Sequence, residues 1–176
     1  TARKEYKCEL VGLAKNETVD KYIDQLLYQQ YGDLYWGWSA EHCLNSSNTH
    51  DSPSNCAVFR IEKNEISSKQ LTCIQSVPFF TGEIYQTQSI YVIGSPFGLL
   101  SPQTFINSVT KGIVSGIISD SKANSLAFFT DARMLPGTEG GLVCCKSSLS
   151  CIGICTLPIR SKSGAISICN PAAKNG

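Results

Sequence analysis

Short apolar runs dominate the chain from its middle onward. They are rich in Val, Ile, Phe and Thr, and Gly, Ser, Asn and Pro separate them at regular intervals. The pattern predicts strands over residues 8–13, 56–63, 67–75, 89–96, 111–119, 127–133, 140–145, 151–159 and 164–169. Strands of this length and spacing indicate a β-sandwich or a β-barrel.

One segment near the start has the period of a helix instead. Its apolar positions recur at i, i+3, i+4, i+7 and i+8, which places them on one helix face: Val19, Tyr22, Ile23, Leu26 and Leu27. Asn16 or Thr18 can cap the first turn, and Gly32 is suited to end the helix. The sequence therefore predicts a helical insertion over about residues 16–32, with a Ser- and Asn-rich surface loop over residues 44–55.

Composition narrows the classes of partner. With 42% apolar and 16% charged residues, the 176-residue chain is globular and long enough for one domain with a real core. A net charge of +1 and the absence of a basic stripe predict neither a nucleic-acid nor a membrane partner. No apolar run reaches the roughly eighteen residues of a membrane span.

The nine cysteines predict buried thiols rather than a disulfide framework. Their number is odd, Cys144 and Cys145 are adjacent, and several lie within apolar runs. We therefore expect a reducing, intracellular compartment. No C-x-x-C motif occurs and only His42 and His50 could assist, so we expect no metal site and no cofactor.

Three stretches together resemble a known family. They read YVIGSPFGLLSPQTFINSVTKGIVS (residues 91–115), SLAFFTDARMLPGTEGGLV (residues 125–143) and CIGICTLPI (residues 151–159). In this order they resemble the second barrel of trypsin-like serine proteases of the high-temperature-requirement type. The resemblance implies an all-β, trypsin-like double β-barrel. The second barrel would be nearly complete over residues 91–176, and residues 1–90 would hold the end of the first barrel with the helical insertion.

The same resemblance implies a degenerate catalytic site. Glu139 stands where the nucleophilic serine is expected, and Asn55 stands in the place of the aspartate. No catalytic residue is therefore predicted. The main-chain N–H groups of Gly137 and Glu139 would be the oxyanion-hole donors. The motif glycines that keep the loop's shape are Gly94, Gly98, Gly140 and Gly141.

The histidine of such a site is not evident. Ser39 to Cys43 reads SAEHC and resembles the histidine motif of the family, but His42 lies only thirteen residues before Asn55 and follows the helical insertion. We interpret it as a surface or capping residue. The register instead predicts that the remaining first-barrel strands come from an upstream segment of the same gene product, present as another chain or cut away.

The stretch from Gly94 to Gly141 resembles one subfamily more closely. It is similar to the N-terminal, non-catalytic trypsin-like region of peroxisomal leader-peptide-processing proteases. That resemblance implies a peroxisomal location and, as a partner, a catalytic protease domain of the same gene product.

Three functional hypotheses follow. The first is a catalytically inactive pseudoprotease domain with a structural, regulatory or assembly role. The second is an active hydrolase with an unusual nucleophile, Thr138 or Cys144. The third is a module that binds an extended peptide in the protease-like groove. The Glu139 carboxylate itself could fold back toward main-chain N–H groups, pair with Arg133, or remain in solvent.

Overall fold

A computed structural model describes residues 7–24, 56–62, 76–98, 100–121, 123–156, 159–161 and 164–172. Within them lie two helices, α1 (Glu17–Asp24) and α2 (Pro102–Phe105). The strands are β1 (Cys8–Ala14), β2 (Cys56–Ile61), β3 (Ser89–Gly94), β4 (Ser108–Ser119), β5 (Ser125–Thr130), β6 (Leu142–Cys145), β7 (Cys151–Cys155), β8 (Ile159–Ser161) and β9 (Gly164–Pro171). The mainly β fold class is confirmed.

Six strands close into a barrel in the order β5-β4-β3-β6-β7-β9, because β9 pairs back onto β5. Every neighbouring pair is antiparallel, and β8 extends the sheet beyond β9. Closure leaves no unpaired edge in the ring. Of the two architectures that the strand pattern indicated, the structure has the barrel.

The barrel encloses the main core. Its fully buried side chains come from alternate positions of the ring strands and include Ile90, Val92, Val114, Phe128 and Val143. A β-carbon added at Gly153 would lie 2.5 Å from the main-chain oxygen of Asn170 and 2.9 Å from the Phe128 ring. Only glycine therefore lets β7, β9 and the Phe128 ring pack this closely.

Two strand ends differ from the prediction for identifiable reasons. The strand predicted to run to Arg133 ends at Thr130. Immediately beyond it, Asp131 Oδ1 accepts the Ile113 N–H at 2.7 Å and Thr130 Oγ1 accepts the Ala132 N–H at 3.0 Å. These side chains take hydrogen bonds that a continued ladder would use.

The strand predicted over residues 151–159 is divided into β7 and β8. Pro158 lies between them in the sequence and has no N–H to donate to a ladder.

Helix α1 packs on the outside of the barrel. Asn16 caps it, since its Oδ1 accepts the Val19 N–H at 3.3 Å. Val19, only 1% exposed, packs against Ala127 and Ile168. The rest of the predicted insertion, the loop over residues 44–55 and the strand over residues 67–75 lie outside the described residues. The four-residue α2 was not predicted, because so short a helix has no detectable period.

Strands β1 and β2 form a separate antiparallel ribbon. All seven residues of β1 are exposed, and the large apolar side chains of the ribbon are open to solvent: Leu10, Val11, Leu13, Val58, Phe59 and Ile61. The described residues supply no third strand to this β1–β2 ribbon. The predicted division of the chain at residues 90 and 91 stays a prediction.

Candidate functional site

The segment from Leu135 to Gly141, here called the site loop, leads into β6 and carries the predicted site. Its first half is a β-turn in which the Thr138 N–H donates to the Leu135 oxygen at 2.9 Å. Pro136 holds the second position and Gly137, with φ of +92°, the third. This is the residue pattern of a type II turn, in which the third position needs positive φ and so favours glycine.

A second proline turn supports the first. The Gly98 N–H donates to the Ser95 oxygen at 2.9 Å, and the Phe97 N–H donates across to the Pro136 oxygen at 3.0 Å. Phe97 has φ of +52°, a conformation that costs a non-glycine residue on the order of 1 kcal/mol. The Phe105 ring meets it edge to face, with centroids 5.8 Å apart. The Phe97–Pro136 hydrogen bond therefore joins the site loop to this second turn, whose Phe97 is itself 36% exposed.

Thr138 faces the interior. It is 4% exposed, and its Oγ1 accepts the Leu135 N–H at 3.2 Å. Its methyl group lies so close to Gly94 that a β-carbon there would approach it to 2.9 Å. The hydroxyl thus closes the turn, and the structure does not present it to a substrate.

The end of the site loop is clamped to β7. Gly140 donates its N–H to the Cys155 oxygen at 2.9 Å, and Cys155 donates its own N–H to the Gly141 oxygen at 2.8 Å. Gly140 has φ of +77° with open space around it. A β-carbon on Gly141 would instead lie 2.7 Å from the main-chain oxygens of both Ile93 and Thr138.

The Glu139 side chain folds back over the turn. Its Oε2 accepts the Gly137 N–H at 2.6 Å, while both residues remain solvent-exposed. The main-chain N–H of Glu139 makes no hydrogen bond to another described residue, and no ion pair joins Glu139 to Arg133 in that part of the chain. The Glu139 carboxylate therefore accepts a hydrogen bond from the Gly137 N–H, one of the two groups predicted as oxyanion donors.

The structure brings together only part of the predicted site. Gly94 and Gly141 meet beside Thr138, and Gly137 packs against the Ser95–Gly98 turn, whereas Gly140 has open space around it and Gly98 contacts only Ser95 of its own turn. Asn55 and His42 lie outside the described residues.

Cys145, the last residue of β6, has polar partners that affect the pKa of its thiol. Cys145 Sγ lies 3.4 Å from Gln88 Nε2 and 3.1 Å from Ser147 Oγ. Gln88 is buried, and its Oε1 accepts the Tyr85 N–H, which turns the amide NH₂ toward the sulfur. Burial alone would raise the pKa of Cys145, but hydrogen bonds from Ser147, Gln88 and the Ser147 and Ser148 main chain lower it to about 6.

Cys144, the predicted alternative nucleophile, has the opposite tendency. Burial and the neighbouring Cys151 and Cys145 raise the pKa of its thiol. Sequence reasoning missed Cys145 because its partner Gln88 lies 57 positions away and meets it only through the barrel register.

Two further features concern ligands and membranes. In the described ranges, no cluster of three or more His, Cys, Asp or Glu side chains could hold a metal ion. No helix there is long and apolar enough to cross a membrane.

Comparison with known proteins identifies the family. The pattern of the trypsin-like peptidase domain matches residues 39–154, about two thirds of the chain. The chain belongs to the trypsin-like peptidase domain family. It is also similar to two peroxisomal leader peptide-processing proteases. The Homo sapiens protein is 32% identical over 82 residues, and the Mus musculus protein is 38% identical over 60 residues.

These matches cover parts of each protein. They span 47% and 34% of this chain, but only 13% of the human and 10% of the mouse relative. Among solved structures, Deg5 is similar with a TM-score of 0.46 and 23% identity, over 68% of this chain and 50% of Deg5.

Gly140 and Gly141, the two glycines at the end of the site loop, should respond differently to substitution. We expect Gly141→Ala to lower the free energy of unfolding by about 3 kcal/mol, because its β-carbon meets two main-chain oxygens. Gly140→Ala has space and should cost only about 1 kcal/mol for its positive φ. Urea denaturation of both variants measures the difference, and equal losses would contradict this description of the clamp.

Cys145 should titrate below Cys144 and Cys151, whose pKa values burial raises, and below Cys169, whose pKa a hydrogen bond with Cys155 and burial raise. A pH titration of thiolate absorbance near about 240 nm should show one midpoint near 6, lost in Cys145→Ser. Because the folded pKa lies below the ordinary value of 9.0, this group stabilises the fold fully above pH 9 and loses that contribution as pH falls toward 6. A first midpoint above 8 in the wild-type protein would refute the assignment.

Proposed function

We propose that this trypsin-like domain does not hydrolyse peptides and has a structural, regulatory or assembly role in a processing protease whose active domain lies elsewhere. The observation that carries the proposal is the Glu139 carboxylate on the Gly137 N–H. Peptide hydrolysis in this family needs such N–H groups free to stabilise a developing oxyanion.

The carboxylate opposes the chemistry in two ways. It takes up a donor that an oxyanion would use, and its own negative charge lies where further negative charge must develop. It also replaces the hydroxyl whose oxygen would attack the substrate carbonyl. A serine-type acyl transfer therefore lacks both its nucleophile and one free oxyanion donor.

The alternative nucleophiles are poorly placed. Thr138 and Cys144 are each 4% exposed. The hydroxyl oxygen of Thr138 already accepts a main-chain hydrogen bond, and the raised pKa of Cys144 disfavours the thiolate that would attack. These contacts favour the inactive domain over an unusual hydrolase.

The setting of the domain is proposed from its relatives. Both similar curated proteins are named as peroxisomal processing proteases, and the chain matches only a small part of each. We propose that this domain belongs to a longer protein of that kind and acts in the peroxisome beside its catalytic domain.

The β1–β2 ribbon gives the domain a place for a partner. Leu13 is 76% and Phe59 60% exposed, and a two-stranded ribbon alone is marginally stable in water. We propose that upstream strands of the same gene product pair with the ribbon and cover these side chains. The ribbon would then form the end of a first barrel.

Glu139 provides the test of inactivity. Wild-type protein and Glu139→Ala should both leave labelled casein uncleaved. Glu139→Ala should also lower Tm by about 1–3 °C, since an exposed hydrogen bond to a carboxylate contributes about 0.5–1 kcal/mol. Glu83→Ala is the matched control, because Glu83 is exposed and makes no hydrogen bond to the described residues. Cleavage by the wild type that Glu139→Ala abolishes would disprove the proposal.

Denaturing intact-mass analysis of copurifying material tests the partner. When the full-length parent protein is expressed, we expect a second polypeptide to copurify with this chain, and its mass should map to the upstream sequence of the parent. Leu13→Glu combined with Phe59→Glu should release it, while Leu149→Glu, an exposed apolar position in the β6–β7 turn, should not. A single species of 19.1 kDa from the wild-type protein would argue against the partner.

A further inference from the structure

Two pairs of cysteines face each other across neighbouring strands. Cys144 of β6 lies opposite Cys151 of β7, and Cys155 of β7 lies opposite Cys169 of β9. No disulfide joins either pair. Directly opposed thiols on adjacent strands are candidates for a reversible bond, provided that the pairing geometry and the access of an oxidant allow it.

Main-chain hydrogen bonds settle the geometry of the first pair. Cys151 donates its N–H to the Pro78 oxygen and accepts the Phe80 N–H, each at 2.8 Å. Neither group is therefore shared with Cys144, which makes the two cysteines a non-hydrogen-bonded pair. In a regular ladder such pairs have Cα atoms about 4.5 Å apart, at the near end of the roughly 4.4–6.8 Å range of disulfides. Here the β6–β7 register shifts between Val143 and Cys144, directly beside the pair.

The two thiols of this pair also interact electrostatically. Burial has the largest effect in raising the pKa of the Cys144 thiol, and negative charge on Cys151 raises it further. Cys145 raises this pKa as well, so the strand register, and not the electrostatics, selects Cys151 as the partner of Cys144.

Position distinguishes the two pairs. The Cys144–Cys151 pair lies at the end of the β6–β7 hairpin. On each strand a single residue separates the pair from the exposed turn Lys146–Leu149. Hairpin ends open locally far more often than barrel cores do. Cys144 and Cys151 are themselves buried, at 4% and 5% exposed, so an oxidant reaches them through such opening, whereas Cys155 and Cys169, at 2% and 0%, belong to the central core cluster. A small oxidant therefore reaches the first pair more readily.

We propose that Cys144 and Cys151 are a redox modification site that a hydroperoxide converts to a cross-strand disulfide. When the hairpin end opens locally and water reaches the pair, one thiol gives up its proton and its thiolate attacks a peroxide oxygen; the O–O bond breaks, and the departing hydroxide or alkoxide takes a proton to become water or an alcohol. The second thiolate attacks the resulting sulfenic acid, an S–S bond forms, and the hydroxyl leaves with a proton as water. Two thiols lose two electrons, and one peroxide gains them. This inference does not depend on the proposed function.

Peptide mapping of the folded protein tests the site. After hydrogen peroxide treatment and alkylation, tryptic cleavage at Lys146 separates Cys144, on residues 134–146, from Cys151, on residues 147–160. Without reductant we expect these two peptides linked, with fragmentation assigning Cys144 to Cys151, and a loss of about 2 Da in the intact protein. The oxidised protein should melt roughly 5 °C higher, and dithiothreitol should reverse both changes.

Variants separate this pair from its neighbours. Cys145→Ala should keep the linked peptides, because Cys145 shares a peptide with Cys144 but is not its partner. Cys144→Ala and Cys151→Ala should each abolish both the link and the rise in Tm, and either one suffices if the other does not fold. The proposal fails if residues 147–160 link first to residues 163–174 through Cys155 and Cys169. It also fails if Cys145 alone gains about 16 or 32 Da, or if guanidinium-unfolded chain forms the same link equally fast.

Discussion

The pairing of β5 with β9 is the contact on which the rest of the structure depends. Phe128 to Thr130 align with Cys169 to Ser167, and this short ladder turns an open sheet into a ring. Closure creates the enclosed core, and β9 pairs with β7 as well as with β5. Since β7 holds both glycines at the end of the site loop through Cys155, the loop is attached to the closed barrel.

The site loop shows that a catalytic scaffold and catalytic chemistry are separable. Two proline turns, a buried threonine and a glycine clamp give the loop its shape, and none of these contacts requires a serine. The Gly137 N–H still points to a place where an anion can bind. Here the anion is supplied by the next residue but one of the same chain. The fold thereby satisfies its own polar group with an internal carboxylate.

Local pattern was sufficient for most of the fold. Short apolar runs rich in Val, Ile, Phe and Thr predicted the strands that form the ring, and Asn16 was one of two predicted caps of α1. The end of β5 was missed because Asp131 accepts a distant N–H, and residues 156–158, which include a proline, separate β7 from β8 in the sequence. At the site, the glycine pattern predicted the loop. The direction of the Glu139 side chain and the Gln88–Cys145 contact depend on torsions and register that one sequence does not display.

The open β1–β2 ribbon has a consequence for how the protein is maintained in a cell. Apolar side chains on an uncovered ribbon, with strand edges beside them, are features that chaperones and proteases recognise and that favour aggregation. Under the proposed pairing with upstream strands, a copy made without those strands would be removed or would self-associate. The amount of folded protein would then follow the supply of those strands rather than the rate of its own synthesis.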